Sequence, residues 1–200
     1  MLSVKNLDLI RGERTLHSDL TFDLKAGQGL TLVGPNGSGK TTLLYYLAGL
    51  IESPAVMRQC EGRGETVFLP AELALYDNMS VLDNVNIFQK LVGAKDVLNQ
   101  SLSYFELVAL QHKRVDQLST GQKRRVSLAR LLLSPAKLWL LDEPDQGLDS
   151  GFKEKLQDLL RQHTQQGGAY IIATHARDMR TDCLMELGRS AALEDNFYAA

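Results

Sequence analysis

Apolar positions fall into short runs whose spacing changes along the chain, and the changes mark out its elements. From Val4 to Leu9 and from Leu20 to Leu24 they nearly alternate with polar residues, with Gly12 and Gly27 as punctuation, the pattern of half-buried strands. Together they predict an antiparallel entry. Leu30-Thr31-Leu32-Val33 then runs into a glycine cluster and out into Thr42 to Leu50. That order predicts buried strand, tight loop and helix, the start of an α/β core. Ile51 to Gly64 contains Pro54, Gly62 and Gly64 without a clear period and reads as mostly loop. Thr66 to Leu69 is a short strand ended by Pro70.

Past Ser80 the period becomes helical. Ser80, with Asp83 three residues on, caps a helix in which Leu82, Val85, Phe88 and Leu91 follow at helical spacing. A second helix is expected from about Lys95, with Leu98, Leu102 and Phe105 on one face. These make a helical insertion between two halves of a sheet. Ser119 precedes a helix over Thr120 to Leu133, and Leu138-Trp139-Leu140-Leu141 reads as a buried parallel strand ending in acids. Phe152 to Gln165 is helical and stops at Gly167-Gly168; Ala169 to Ala173 is another buried strand, ending at His175. After about Leu187 the signal fades into a polar tail, expected to be mobile. The prediction is a single α/β domain over 1–200 with a mostly parallel core sheet, antiparallel N-terminal strands, a helical subdomain over about 76–133 and a tail over about 188–200.

Composition narrows the function more than the fold. The hydrophobic content of 44% and charged content of 23% are ordinary for a globular chain. A balance of 22 Lys+Arg against 24 Asp+Glu, net −2, argues against a broad nucleic-acid footprint. Cys60 and Cys183 lack metal-ligand spacing and read as reduced thiols rather than a disulfide or zinc site. The first residues do not form a basic segment followed by an apolar core, and no apolar run approaches the roughly 18 residues a membrane span needs. The expectation is a soluble, cytosolic chain that reaches a membrane only through partners.

Gly34-Pro35-Asn36-Gly37-Ser38-Gly39-Lys40-Thr41 fills every position of a phosphate-binding loop, between a predicted strand and helix as that motif requires. Glycines let successive backbone N–H groups face phosphate oxygens. Lys40 supplies a positive charge for the β and γ phosphates, and Thr41 a hard oxygen ligand for Mg²⁺. Thr42 follows at the helix start and belongs to the same nucleotide-binding set. Asp142 and Glu143 end a predicted parallel strand, where carboxyl ends face the ligand crevice. Asp142 suits indirect Mg²⁺ coordination, and Glu143 can polarise the water that attacks the γ-phosphate. Leu118-Ser119-Thr120-Gly121-Gln122 puts a hydroxyl and a glycine in a helix's first turn, which favours an anion. Taken alone it is a serine cap; beside the other motifs it implies a second phosphate site.

In this combination and order, the chain resembles the ABC transporter ATPase family over roughly Val4 to Ala176. The resemblance is carried by the loop Gly34 to Thr41, the signature Leu118 to Gln122, Asp142-Glu143-Pro144, Gly147-Leu148-Asp149 and His175 after a strand. It implies ATP and Mg²⁺ as ligands and two copies meeting head to tail. Ser119, Gly121 and Gln122 of one copy would then face the γ-phosphate held by the other. It also implies that Asp149 lies at the dimer seam and that His175 hydrogen-bonds the γ-phosphate. Two positions depart from the family pattern. Where many members place an aromatic ring to stack on adenine, the chain has Arg11, whose guanidinium can stack instead. Where a glutamine usually touches Mg²⁺ and the membrane subunit, it has Glu72.

Further runs resemble the haem-exporter branch that serves cytochrome c biogenesis. They are Arg14-Thr15-Leu16 with Ser18, Leu20, Phe22, Leu24, Ala26 and Gly27, then Ser119 to Gln122 with Arg124-Arg125-Val126, Leu138 to Asp142 and His163 to Gly168. This resemblance implies transmembrane subunits as partners and a place peripheral on the cytoplasmic side of the inner membrane. A transport ATPase for another solute would share every nucleotide motif. A soluble regulator acting on nucleic acid or ribosomes would be expected to carry tandem domains, a long coiled-coil insertion or basic patches.

Overall fold

The computed structural model describes residues 1–58, 66–93, 97–175, 181–188 and 197–199. β1 (Leu2–Arg11) and β2 (Arg14–Leu24) form an antiparallel hairpin that turns at Gly12 and Glu13. Strict alternation along β1 would bury Asn6 and expose Leu7. Asn6 instead adopts φ 53°, and the register slips between Val4 and Leu7. This bulge keeps Leu2, Val4, Leu7 and Leu9 on the buried face. A compensating irregularity at Asp19, φ 59°, lies on β2, where the Asp8 carboxylate accepts its backbone N–H at 3.0 Å.

The chain continues through β3 (Gly29–Val33) into α1 (Lys40–Ala48), then β4 (Val56–Arg58) and β5 (Thr66–Leu69). β4 pairs with β1 and makes the hairpin a three-stranded antiparallel sheet; this short strand lies in the stretch read as mostly loop, whose residues 59–64 fall outside the described residues. The helical insertion comprises α2 (Val81–Val92), α3 (Leu98–Tyr104) and α4 (Thr120–Leu133). Ser80 caps α2 as predicted, its Oγ accepting from Asp83 N at 3.1 Å. α3 begins at Leu98; the expected start near Lys95 lies outside the described residues, as does Cys60.

β6 (Leu138–Asp142), α5 (Ser150–Gln165), β7 (Ala169–Ala173), β8 (Cys183–Glu186) and β9 (Phe197–Ala199) complete the fold. The second sheet has six strands in the order β5-β6-β7-β3-β8-β9, all parallel except β9. β9 falls in the stretch expected to be a tail, where it pairs with β8 through residues 197–199.

Successive residues of a strand point to opposite faces, so the central sheet divides the core. Trp139, Leu141, Tyr170 and Ile172 pack with α2 to α5. Leu138, Leu140, Leu30, Leu32 and Ile171 pack with α1 and the antiparallel sheet. Because β5, β6, β7 and β3 run parallel, the loops after all four leave from one edge. That edge carries the motifs.

Candidate functional site

At the end of β3 the chain turns through Gly34 to Gly39 into α1. Gly34 has φ 152°, and a Cβ there would stand 2.2 Å from the Leu187 carbonyl oxygen. Gly39 has φ 103°, and a Cβ would meet Leu9 Cδ2 at 2.6 Å. The turn is therefore closed to side chains on both flanks, by the loop after β8 and by the antiparallel sheet. No side chain caps α1 and its first turn holds no acid, so its leading N–H groups and positive dipole end remain available to an anion.

Lys40 is 6% exposed. Its Nζ donates to the carbonyl oxygens of Gly34 at 2.7 Å and Pro35 at 3.2 Å. Both are neutral acceptors that a phosphate would replace with a stronger, charged one. Burial lowers the ammonium's pKa, while Glu143 and Asp142 oppose that shift. His17 Nε2 lies 3.0 Å from the Ser38 carbonyl oxygen and ties β2 to the loop. Nothing in the local sequence distinguishes His17 from any other polar strand residue.

From β6 come the acids. Asp142 is buried, and Thr41 Oγ1 donates to its Oδ2 at 2.7 Å. Burial raises the Asp142 pKa; the Thr41 hydrogen bond acts the other way. Glu143 N–H donates to Ala173 O at 2.8 Å, extending the β6–β7 ladder by one step, and its φ of 48° then turns the chain sharply. Its Oε1 lies 3.1 Å from His175 Nε2, just past the end of β7. Asp145 is buried and accepts from Thr174 Oγ1 at 3.0 Å, a second link between the loops after β6 and β7. Lys40, Thr41, Asp142, Glu143 and His175 thus gather at one sheet edge.

The signature residues are organised differently. Ser119 Oγ accepts from Gln122 N at 3.3 Å, and Gln122 Oε1 accepts from Ser119 N at 3.0 Å, a reciprocal cap on α4. Gly121 sits where a Cβ would be 2.8 Å from Gly147 O. The signature therefore packs on the loop after Glu143, and Ser119 and Thr120 stay exposed. Asp149 caps α5, accepting from Phe152 N at 2.9 Å. Arg11 is exposed at the tip of the hairpin, opposite Arg14, and Glu72 is exposed in the loop after β5.

Arg124 belongs to the same edge, although in the sequence it stands out only as part of a family-like run. It is 5% exposed and reaches Ala71 O, Gln146 O and Gln146 Oε1. An arginine at a helix position of mixed polarity reads as solvated, so composition and periodicity carry no signal for this burial.

Comparison with known proteins agrees with this geometry. The ABC transporter family model matches residues 17–146. The cytochrome c biogenesis ATP-binding export protein CcmA of Brucella abortus is 38% identical over 182 residues, covering 87% of this chain and 85% of that protein. The CcmA of Ruegeria pomeroyi is 37% identical, with coverage of 97% and 96%. Among solved structures, a putative ABC transporter ATP-binding protein from Pyrococcus furiosus superposes with a TM-score of 0.81 at 26% identity, covering 93% of this chain and 96% of that one. An ATP-binding cassette solved as a dimer in a post-hydrolysis state with ADP and phosphate reaches 0.82 at 23% identity, covering 94% of each chain. With the matched model spanning the phosphate loop, the signature and the acidic strand end, this chain belongs to the ABC transporter family, as one of its ATPase subunits.

Proposed function

We propose that the chain hydrolyses ATP to drive a membrane complex that delivers haem for cytochrome c maturation, working as a head-to-tail pair of copies docked on transmembrane subunits. The observation that carries the ATPase half is the meeting of Thr41 with Asp142 at 2.7 Å and of Glu143 with His175 at 3.1 Å, beside a buried Lys40. The CcmA relatives support the cytochrome c half. Among the described residues no helix is long and apolar enough to cross a membrane, and the chain meets the membrane through its partners, on the cytoplasmic side.

The N–H groups from Gly37 to Thr42 and the Lys40 ammonium hold the β and γ phosphates. Thr41 and Asp142 offer a hydroxyl and a carboxylate side by side, the hard oxygen donors Mg²⁺ takes, so the residues fit that ion; Glu72 is a third candidate oxygen donor. Bound there, Mg²⁺ neutralises charge on the phosphate oxygens. Glu143 orients and polarises the attacking water. As that water's oxygen bonds to the γ-phosphorus, the bond to the β–γ bridging oxygen breaks and ADP leaves. In the nucleotide-free chain the His175 Nε2–H faces Glu143; with ATP bound it donates to the γ-phosphate instead. Arg11 stacks on the adenine. Ser119, Gly121 and Gln122 of the second copy close over the γ-phosphate, and Asp149 lies at the seam.

Glu143→Gln tests this reading. It removes the carboxylate and keeps the side chain's shape, so ATP affinity should hold while turnover falls about 10² to 10⁴-fold. In a deletion strain, wild type should restore covalent haem on periplasmic c-type cytochromes and Glu143→Gln should not, with b-type cytochromes unchanged throughout. Wild-type turnover by Glu143→Gln would remove Glu143 from the mechanism. Normal c-type cytochromes in the deletion strain would remove the haem assignment and leave the ATPase standing.

A further inference from the structure

Arg124 is a buried guanidinium without a carboxylate in ion-pair contact among the described residues. Its hydrogen bonds go to neutral acceptors: Nη2 to Ala71 O at 3.1 Å, Nε to Gln146 O at 3.3 Å and Nη2 to Gln146 Oε1 at 3.3 Å. Burial disfavours the charge and the carboxylates of Asp145, Glu143 and Asp142 offset part of that without touching it; a buried charge remains costly, and an apolar residue there would pack at lower cost. What the guanidinium provides is reach. Its planar fork spans two loops that touch α4 from different directions, which the single point of an ammonium cannot do.

Each loop is itself tied down. The loop after β5 is held on α4 a second time by Arg130, whose Nη1 and Nη2 donate to Leu73 O at 3.4 Å and Ala74 O at 2.6 Å. Ala74 has φ 48°, a left-handed conformation that directs its carbonyl to that arginine at some cost in strain. On the other side, Gln146 N–H donates to Glu143 O at 3.2 Å, closing a tight turn directly on the residue beside Asp142. A continuous path therefore runs from Ala71 through Arg124 and Gln146 to the backbone of Glu143. Arg130 fastens the first loop to the helix but does not reach the second. Arg124 does both.

We propose that Arg124 is a positioning residue that couples the loop carrying Glu72 to Glu143, so that displacement of residues 71–74 shifts the Glu143 carboxylate relative to the phosphate loop. The proposal rests on Glu143 acting on water as argued above. The Arg124 guanidinium bonds to loop backbone and to Gln146 rather than to the phosphate loop. Losing it should leave ATP affinity intact and lower the rate of the chemical step.

The test uses the full chain, comparing wild type, Arg124→Lys, Gln146→Ala, the double variant and Glu143→Gln. Phosphate release at saturating ATP gives kcat, calorimetry gives ATP affinity and thermal denaturation gives folding. Arg124→Lys should bind ATP within about twofold of wild type and lose about tenfold to a hundredfold in kcat, the scale of a misplacement of up to about 1 Å at a reacting centre. Gln146→Ala should lower kcat severalfold in wild type and have little further effect in Arg124→Lys, because the two act along one path. A kcat near wild type in folded Arg124→Lys overturns the proposal, as do additive effects or a loss of ATP affinity in step with kcat, which marks a merely structural role. If Arg124→Lys does not fold, Arg124→Met takes its place, because it fills the same space without a buried charge and breaks both loop contacts; a wild-type kcat in folded Arg124→Met overturns the coupling. Wild-type turnover by Glu143→Gln would instead remove the reading of the site itself.

Discussion

Replacing Gly121 with alanine adds one methyl group to the first turn of α4, 2.8 Å from the carbonyl oxygen of Gly147. A carbon and a carbonyl oxygen rest at about 3.3 Å or more, so the gap must open by about 0.5 Å, and its far wall is backbone rather than a flexible side chain. Two effects on stability oppose each other. Alanine is preferred over glycine within a helix by up to ~1 kcal/mol, while overpacking costs roughly 1–3 kcal/mol. The expected net loss is about 1 kcal/mol, or about 2–4 °C in Tm for a chain of this size. The geometric effect has no such offset. Gly147 lies between the turn that starts at Glu143 and the Asp149 cap of α5, so its displacement moves the acidic loop. A shift of half an ångström there should reduce kcat roughly tenfold while the ATP affinity of a single copy, set at the phosphate loop, holds. Denaturation midpoint, phosphate release at saturating ATP and calorimetric affinity together separate these effects. Gly147→Ala meets Thr120 Cγ2 at 3.3 Å across the same contact and must also adopt φ 77°, so combining the two substitutions should cost less than their sum. Turnover by Gly121→Ala equal to wild type would refute the claim that this contact sets the acidic loop.

Two further predictions follow from buried groups. A Cβ at Gly168 would stand 2.3 Å from the His163 ring, which stacks on Trp139 with centroids 3.7 Å apart and bonds to Lys137 O at 3.0 Å; Gly168→Ala should lower Tm by several degrees and change the fluorescence of the single tryptophan, and an unchanged spectrum would show the stack intact. Burial raises the Asp142 pKa, so its ionised form costs folding energy at pH values above that pKa and the cost vanishes as pH falls below the usual carboxylate range. Asp142→Asn should therefore raise the Tm of the nucleotide-free protein near pH 7 by a few degrees, at about 2–4 °C per kcal/mol, with the gap closing in acid and hydrolysis lost; a Tm gap independent of pH would contradict this.

The parts of the fold that were legible are those in which local chemistry and global role agree. Leu30 and Leu32 are apolar because they pack in the core on the α1 side, and the glycines after the strand cannot be replaced where Leu187 O and Leu9 press on the turn. Ser80 caps α2 because its own hydroxyl suffices. The pieces that were not legible depend on distant partners. β4 is a strand because the edge of β1 lies beside it, and Val56-Met57-Arg58 between a proline and the segment that follows has no period of its own. β8 is only four residues long and owes its order to β3. β9 is three residues long and exists through β8. At the site, Lys40, Thr41, Asp142 and Glu143 were marked by dense spacing at strand ends. Arg124 and His17 act through backbone carbonyls of other segments, and a backbone acceptor leaves no trace in a sequence.

The central sheet separates two cores, one packed on each face of its strands. Trp139 and Leu141 serve the helical side, Leu138 and Leu140 the side of α1. Side-chain changes well apart on opposite faces act nearly independently, so substitutions can accumulate on the helical face while the phosphate loop and α1 keep their shape. On the proposed function, a lineage of such proteins is then free to change the membrane subunit it meets by altering one half of the molecule. The constraint falls on the strand backbones and on the few groups, Arg124 among them, through which the two halves must still communicate.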